Sequence, residues 1–368
     1  MRKTLRGQTI NIIVFSVTLT ALLTACSPFY VMRAAYEEGK ILVGREAISD
    51  VITRSETTQE IREKLQLVLR ARTFAEDRLR LNAKDSFTQY SHVDKDVLAW
   101  VLLASKQDAF QLYTWWYPIV GTVPYKGFFE QEDAQDVVAA LESKGYETWL
   151  RGTEAFSTLG WFNDPVLTTT LRHPPHSIAN TVIHEIFHQT LWIKGSVDFN
   201  ESAANAIGGL GAIDFFLTER SQCQDKTCAD IAEERLQASL RDWEFEKELG
   251  GILTELHRVL EEVYTSPLSY EEKLTRRDEV FNTITAPFRA RYPKMRILQT
   301  LNNAELLQLS LYRKQLPLFE EGFHMCRREW SCFVDLFRKV GEHDDGDPFH
   351  RFEELVETLS KPLSGDEG

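Results

Sequence analysis

Hydrophobic and polar positions between residues 45 and 220 switch repeatedly between helical and strand spacing. Residues 45–82 repeat apolar side chains every three to four positions, which predicts two helices. The same spacing returns over residues 129–145, where Gly145 would end the helix. Runs dense in Val, Leu, Tyr and Trp predict strands instead. The predicted strands cover residues 97–103, 112–120, 146–150 and 156–162.

Beyond residue 203 the pattern is almost wholly helical, most clearly over residues 229–264 and 301–316. Gly250 and Gly251 interrupt the apolar seam of the first stretch, which favours a helical core over a coiled-coil partner face. The pattern predicts only one strand–helix–strand unit, which argues against a doubly wound sheet. The prediction is an α+β fold, predominantly α-helical, with a small mixed sheet and a C-terminal helical region.

The first 25 residues differ from everything that follows. Basic residues precede an apolar run over residues 12–23, which at about 18 Å as a helix is too short to cross a bilayer of about 30 Å. It predicts a signal peptide, and residues 23–26, ending in Cys26, resemble a lipobox with Cys26 as the site of lipid attachment. The alternative is an ordinary signal peptide with an incidental cysteine. With lipid on Cys26, residues 26–44 would form a tether from the membrane.

Composition and charge narrow the class of protein. The chain has 55 acidic and 42 basic side chains, a net charge of −13, which excludes a phosphate-tracking nucleic-acid binder and argues against polybasic docking to lipid. With 43% hydrophobic residues it can bury a sizeable core. Length and pattern predict an α+β core over residues 45–220 and a helical domain over residues 221–368 that completes an active-site cleft.

Four further cysteines fit an oxidising compartment. Their spacing makes the local disulfides Cys223 with Cys228 and Cys326 with Cys332 reasonable. Crossed pairing, buried free thiols and a zinc site built from all four cysteines are the alternatives.

The candidate chemistry lies in residues 184–188, which read H-E-x-x-H. His184 and His188, four positions apart, fall on one helix face and can converge on one metal ion. Glu185 lies beside the first ligand and can reach an attacking water without ligating the metal. Two histidines solvated on a helix flank are the structural alternative. Prolines 174 and 175 precede the helix, for which Ser177 is a plausible N-cap and Ile193 the last residue.

A third ligand is needed, and Glu201 is the nearest carboxylate in a helix-starting context. Thirteen positions separate it from His188, enough for a loop and a return helix. Small residues after Glu201 would let the two helices approach closely. The alternatives are Asp198 as the ligand, or Glu201 as an ordinary first-turn acid favoured by the helix dipole.

The lipobox-like run, the H-E-x-x-H residues, Glu201 and four further segments together resemble the predicted-aminopeptidase lipoprotein family of Gram-negative bacteria, within the wider gluzincin metallopeptidases. The resemblance implies a zincin-like core and zinc (Zn) held by His184, His188 and Glu201, with a zinc-bound water activated by Glu185. Gluzincins often carry an Asp four residues after the Glu ligand, bonded to a ligand histidine. Here that position is Asn205, whose amide would stabilise a ligand histidine less than a carboxylate does. The segments that carry the resemblance are residues 23–28, 117–121, 123–127, 157–162, 184–189, 200–201 and 301–304.

Substrate contacts are less sharply indicated. Tyr312, on a late helix with Asn302 and Asn303, and Tyr125 are candidates to stabilise the oxyanion. Asn303, Tyr125 and Asp164 are the candidate substrate-binding residues. Residues 156–164 would form an edge strand that pairs with the peptide. Asp164 or Glu154 could hold a free amine, and exopeptidase action rests on the resemblance.

The sequence thus predicts a zinc aminopeptidase acting on peptides, with no nucleic-acid partner. A lipid anchor would hold it on the periplasmic side of the envelope; the residue after Cys26 is Ser27, which by resemblance to lipoprotein sorting favours the outer membrane. The alternative from another class is a non-catalytic metal-binding envelope lipoprotein that serves as a scaffold or assembly factor.

Overall fold

The computed structural model describes Gly39 and residues 43–117, 121–153, 165–295, 297–299, 301–343 and 346–360. The predicted signal peptide, Cys26, Glu154, Asp164 and the predicted strand at 156–162 lie outside these residues. Within the described ranges, none of the helices is both long enough and apolar enough to span a membrane.

The strands are short apart from one antiparallel pair. Strand β3 and strand β7 each have eight residues and pair along their whole length, from Ala99 opposite Thr153 to Lys106 opposite Tyr146. The strands are β1 (Arg45–Ala47), β2 (Gln89–Ser91), β3 (Ala99–Lys106), β4 (Trp115–Tyr117), β5 (Gly121–Val123), β6 (Lys126–Phe128), β7 (Tyr146–Thr153) and β8 (Val166–Leu167).

These strands form three sheets in the described residues. One has the order β1-β2-β8 and is mixed, since β2 pairs antiparallel with β1 and parallel with β8. The second, β6-β3-β7, is antiparallel, and β4 and β5 form a hairpin. The prediction of one small mixed sheet was therefore wrong in number, because the strands, most of which have only two or three residues, divide among three separate sheets.

Helices make up most of the described chain. The two helices predicted over residues 45–82 are present, with β1 before them as an unpredicted strand. The predicted helix at 301–316 divides, because a turn separates Ser310 from Leu316. The helices are α1 (Ile48–Val51), α2 (Gln59–Asp77), α3 (Gln131–Glu142), α4 (Pro175–Thr190), α5 (Val197–Gln222), α6 (Lys226–Thr265), α7 (Tyr270–Arg291), α8 (Asn303–Ser310), α9 (Leu316–Met325), α10 (Trp330–Gly341) and α11 (Pro348–Ser360).

The largest buried cluster joins both ends of the described chain. It contains side chains of α2, α4 and α5 together with those of α9, α10 and α11, including Phe199, Phe319 and Phe337. A second cluster lies between α6 and α7, and a third packs α3 on the β3–β7 sheet. The largest cluster therefore crosses residue 220, and the predicted domain boundary there stays a prediction.

Candidate metal centre

Helix α4 carries the H-E-x-x-H residues on a firmly buried element. Its apolar face, which includes Val182, Ile186 and Phe187, is completely buried. Pro175 occupies the first helical position, where its fixed φ is already helical and its missing N–H is not needed. The helix therefore begins before Ser177, which is not its N-cap, and it ends at Thr190, since Leu191 is already extended.

Helix α5 returns against α4 after a short connection. Asn200 is buried and closes this connection, because its side chain accepts from the backbone N–H of Ile193 at 2.9 Å and donates to the carbonyl of Ile193 at 2.8 Å. Gly208 permits close approach, since a Cβ there would collide with Asn180 Oδ1 and would lie 3.1 Å from His184 Cβ. The predicted close approach through small residues is thus present.

The approach of α4 and α5 brings three ligand atoms together. His184 Nε2 and His188 Nε2 are 3.2 Å apart, and Glu201 Oε2 lies 3.5 Å from the first and 3.6 Å from the second. Ligand atoms placed tetrahedrally about 2.0–2.1 Å from one ion are about 3.3–3.4 Å apart. The triangle therefore fits three corners of a tetrahedral metal site, and these residues form the metal-binding group found in the described chain.

The charges around these three side chains favour a bound cation. Burial acts to raise the pKa of Glu201, but hydrogen bonds with His184 and His188 outweigh it and hold that pKa at about 2. Burial acts to lower the pKa of His184, whereas its hydrogen bond with Glu201 and the charge of Glu185 raise it overall. Glu201 is therefore an anion at any ordinary pH, and the negative charge around His184 favours a positive occupant.

Tyr312 lies beside the ligands, although not on a helix as predicted. It belongs to the turn between α8 and α9, and its ring stacks on His184 with centroids 6.4 Å apart. Burial raises the pKa of Tyr312 to about 12, and the charges of Glu201 and Glu185 act in the same direction. The phenol therefore keeps its proton and can donate a hydrogen bond towards the site.

Helix α5 holds the Tyr312 turn in place. The hydroxyl of Ser202 donates to the carbonyl of Leu311 at 3.0 Å and accepts from the N–H of Lys314 at 2.9 Å. The amide of Asn205 donates to the carbonyl of Tyr312 at 2.9 Å and to Glu246 at 3.0 Å. The helix that carries Glu201 thus also fixes the position of Tyr312.

These contacts correct two predictions on α5. The side-chain amide of Asn205 supports the Tyr312 turn and Glu246, where the sequence suggested a bond to a ligand histidine. Asp198 is not the ligand, because its carboxylate pairs with Lys314 at 2.6 Å and caps the N–H of Phe199.

The structure contradicts one predicted substrate residue, Asn303, and leaves another, Tyr125, untested. Asn303 is completely buried, and its side chain accepts from the Tyr264 hydroxyl and donates to the carbonyl of Lys106. Its polar atoms are used within the core, so it does not face a substrate and that prediction was wrong. Tyr125 lies in the turn between β5 and β6 with 43% of its surface exposed, and its role stays a prediction.

The four cysteines form two local disulfides, Cys223–Cys228 and Cys326–Cys332. The crossed pairing, the free thiols and the four-cysteine zinc site are therefore not what the structure has. The first disulfide closes the connection between α5 and α6, and the second ties the end of α9 to α10.

Sequence reasoning missed three residues around the ligands. Trp192 is 54% exposed, and its ring lies 5.4 Å from that of His188. Its place four residues after His188 was a usable signal for a predicted helix that runs to Ile193, although the chain is already extended at Leu191. Ser202 and Arg151 carry no such signal, because their positions depend on residues more than a hundred positions away.

The fold and site define a mainly helical protein with a three-ligand candidate metal centre, flanked by a carboxylate and a phenol. A family model described as "Putative aminopeptidase" matches residues 29–350, and the chain belongs to this family. No curated protein and no solved structure matches the chain.

Proposed function

We propose that the protein is a zinc-dependent metallopeptidase, an aminopeptidase that hydrolyses peptides. The observation that carries the proposal is the triangle formed by His184, His188 and Glu201, with Glu185 next to the first ligand. Membership of the family described as "Putative aminopeptidase" supports the reaction class and the free amino terminus of the substrate.

Zinc is the metal that the ligand chemistry favours. Two imidazole nitrogens and one carboxylate oxygen are a usual donor set for catalytic zinc, which keeps a further position open. Bound there, zinc would act as a Lewis acid and lower the pKa of water to about 7.

Glu185 is the general base of the proposed reaction. It follows the first ligand on α4, and its negative charge acts to raise the pKa values of both His184 and Tyr312, which supports this role. From there it accepts a proton from the attacking water and delivers it to the leaving amine. Tyr312 donates its hydroxyl proton in a hydrogen bond to the carbonyl oxygen as negative charge develops there.

The test compares wild-type protein lacking residues 1–25 with Glu185→Gln, using a panel of aminoacyl and peptide substrates and a measurement of zinc content. We expect Glu185→Gln to keep zinc and lose about 10²- to 10⁴-fold in kcat, because a general base is removed while the ligands remain. Glu357→Gln, at an exposed position of α11, is the control and should behave as wild type. A zinc-loaded wild type that cleaves nothing in the panel would favour a non-catalytic metal-binding lipoprotein.

We further propose that lipid on Cys26 anchors the protein at the periplasmic face of the outer membrane. The support is the lipobox-like run that ends at Cys26, after a short apolar segment. Mass spectrometry of the mature N-terminus and detergent-phase partition test this. Cys26→Ser should release an unlipidated protein, and equal partition of both forms into the aqueous phase would contradict the anchor.

A further inference from the structure

Strand β7 presents two different faces to the rest of the protein. Tyr146 and Leu150 pack with α3 in the sheet's own core. Because side chains alternate along a strand, Glu147, Trp149 and Arg151 lie on the opposite face. That face is turned towards α8, since Glu147 accepts a hydrogen bond from the backbone N–H of Asn303, the first residue of α8.

Strand β7 and α8 bring Arg151 towards Tyr312. Asn302, the N-cap of α8, donates to the carbonyl of Thr148 at 2.9 Å, which fixes the start of the helix on the strand. Arg151 lies on β7, four residues beyond Glu147. Tyr312 lies in the turn that follows Ser310, the last residue of α8. The positive charge of Arg151 also opposes the upward shift that burial gives the pKa of Tyr312, as a nearby cation would.

Arg151 differs from the other arginines of this region in having no carboxylate. Arg277 pairs with Glu147 at 2.7 Å, and Arg313 pairs with Glu246 at 2.8 Å. Within the described ranges, no carboxylate pairs with Arg151, and its Nε, like that of Arg277, is buried without a hydrogen-bond partner. Its guanidinium carbon lies 5.6 Å from the centre of the Trp149 ring, which limits how the side chain can turn. A half-buried guanidinium without an anion is costly, and none of the described residues supplies that anion, so a bound ligand can supply it.

We propose that Arg151 is a substrate-binding residue that pairs with a carboxylate of the bound peptide, either its free C-terminus or an acidic side chain. The inference rests on the proposed peptidase function and adds a preference among peptides. A guanidinium binds a carboxylate through two parallel hydrogen bonds, which fixes orientation as well as affinity. Tyr312 stacks on His184, and its pKa responds to the charge of Arg151, so the reacting carbonyl and the carboxylate would belong to one short peptide.

Binding to zinc-loaded Glu185→Gln protein, measured by calorimetry, tests the proposal without turnover. Alanylalanine against its C-terminal amide tests the free C-terminus, and alanylglutamate amide against alanylglutamine amide tests an acidic side chain. One of these two pairs should differ by about 10- to 100-fold in affinity, the range for a charge-assisted hydrogen bond. Equal affinity within both pairs overturns the proposal.

Substitution at Arg151 identifies the residue responsible. In the same Glu185→Gln background, Arg151→Met should abolish the difference in affinity within the sensitive peptide pair. Arg151→Lys should keep part of that difference, because lysine retains the positive charge but not the paired hydrogen bonds. Arg276→Met, on the exposed side of α7, removes one cation far from the sheet and is the matched control. Arg276→Met should leave the difference intact, and a difference that survives Arg151→Met in a folded protein contradicts the assignment.

The outcomes separate this inference from the proposed function. Turnover in wild type with equal affinity for acid and amide peptides keeps the function and removes the Arg151 site. Carboxylate-dependent binding lost in Arg151→Met, with no turnover in wild type, keeps the site and removes the function. Failure to bind any of the peptides contradicts both.

Discussion

His184 and His188 can bind zinc only as neutral imidazoles, so protons and metal compete for them. Burial acts to lower the pKa of His184, but the hydrogen bond with Glu201 and the charge of Glu185 raise it above the usual 6.5. Protonation therefore begins at a higher pH than in a free imidazole. We expect zinc affinity to be highest above that pKa and to fall as the pH drops through it.

Competitive zinc titration against a chelator of known pH dependence, between about pH 8 and pH 5.5, measures this effect. Once His184 is protonated, each further pH unit should cost about tenfold in affinity. An affinity that stays constant down to about pH 6 would contradict the expected competition.

At Tyr312 a single hydroxyl can be removed with little change in packing. Tyr312→Phe keeps the ring that stacks on His184 but loses the hydroxyl proposed to donate to the developing oxyanion. We expect kcat to fall by about 10²- to 10³-fold with zinc content unchanged. Tyr270→Phe removes an exposed hydroxyl bonded to Gln107 and serves as the control. Equal kcat values for the two variants would remove Tyr312 from the mechanism.

At the scale of elements, α6 contains two adjacent glycines in different surroundings. A Cβ on Gly250 would lie 2.7 Å from the carbonyl oxygen of Arg313, whereas one on Gly251 would meet nothing within 4 Å. Gly250 therefore lets α6 pack directly against the turn that carries Tyr312.

This pair gives a matched experiment on the turn. Gly251→Ala should stabilise the protein by about 0.5–1 kcal/mol, because alanine is the better helix former. Gly250→Ala should lower both stability and kcat, since the backbone of Arg313 must move away. Urea unfolding and steady-state kinetics measure the two effects. Stabilisation by both variants with kcat unchanged would show that the turn yields without functional cost.

The sequence pattern predicted the features that depend on residues close together in the chain. The ligands on α4 followed from the spacing of His184 and His188, and Glu201 followed from its place after a short loop. Asn205, Asn303 and the turn of Tyr312 did not, because their partners lie far along the chain. The hydrogen bonds of Ser202 to this turn, for example, join residues 109 and 112 positions apart.

At the scale of the whole molecule, the fold class was predictable and the division of its sheet was not. Long helices with regular apolar spacing, such as α6, can be recognised in the sequence. Strands of two or three residues, such as β2 and β8, carry too few positions to reveal which strand pairs with which. The sheet topology therefore depended on contacts that a pattern cannot supply.

The two disulfides bear on the stability of the whole molecule. The residues in each pair are separated by five or six positions, for which closing the loop stabilises the fold by about 2 kcal/mol in the chain-entropy model. Cys326 belongs to the largest core, with 4% of its surface exposed. We expect reduction to lower the urea midpoint, and more so through Cys326–Cys332 than through Cys223–Cys228. Single-pair Cys→Ser variants measure this, and identical midpoints with and without reductant would contradict it.

The placement of Ser202 and Glu201 on one helix has a consequence for the order in which the centre assembles. The ligands on α4 and α5 come from one local stretch of chain, so they can meet as soon as these two helices pair. Tyr312 arrives only when a segment more than a hundred residues later docks on Ser202. Closing that long loop is slow compared with forming neighbouring contacts. A folding chain would therefore bring the three candidate ligands together before Tyr312, the proposed oxyanion donor, and a metal ion could bind before the centre is complete.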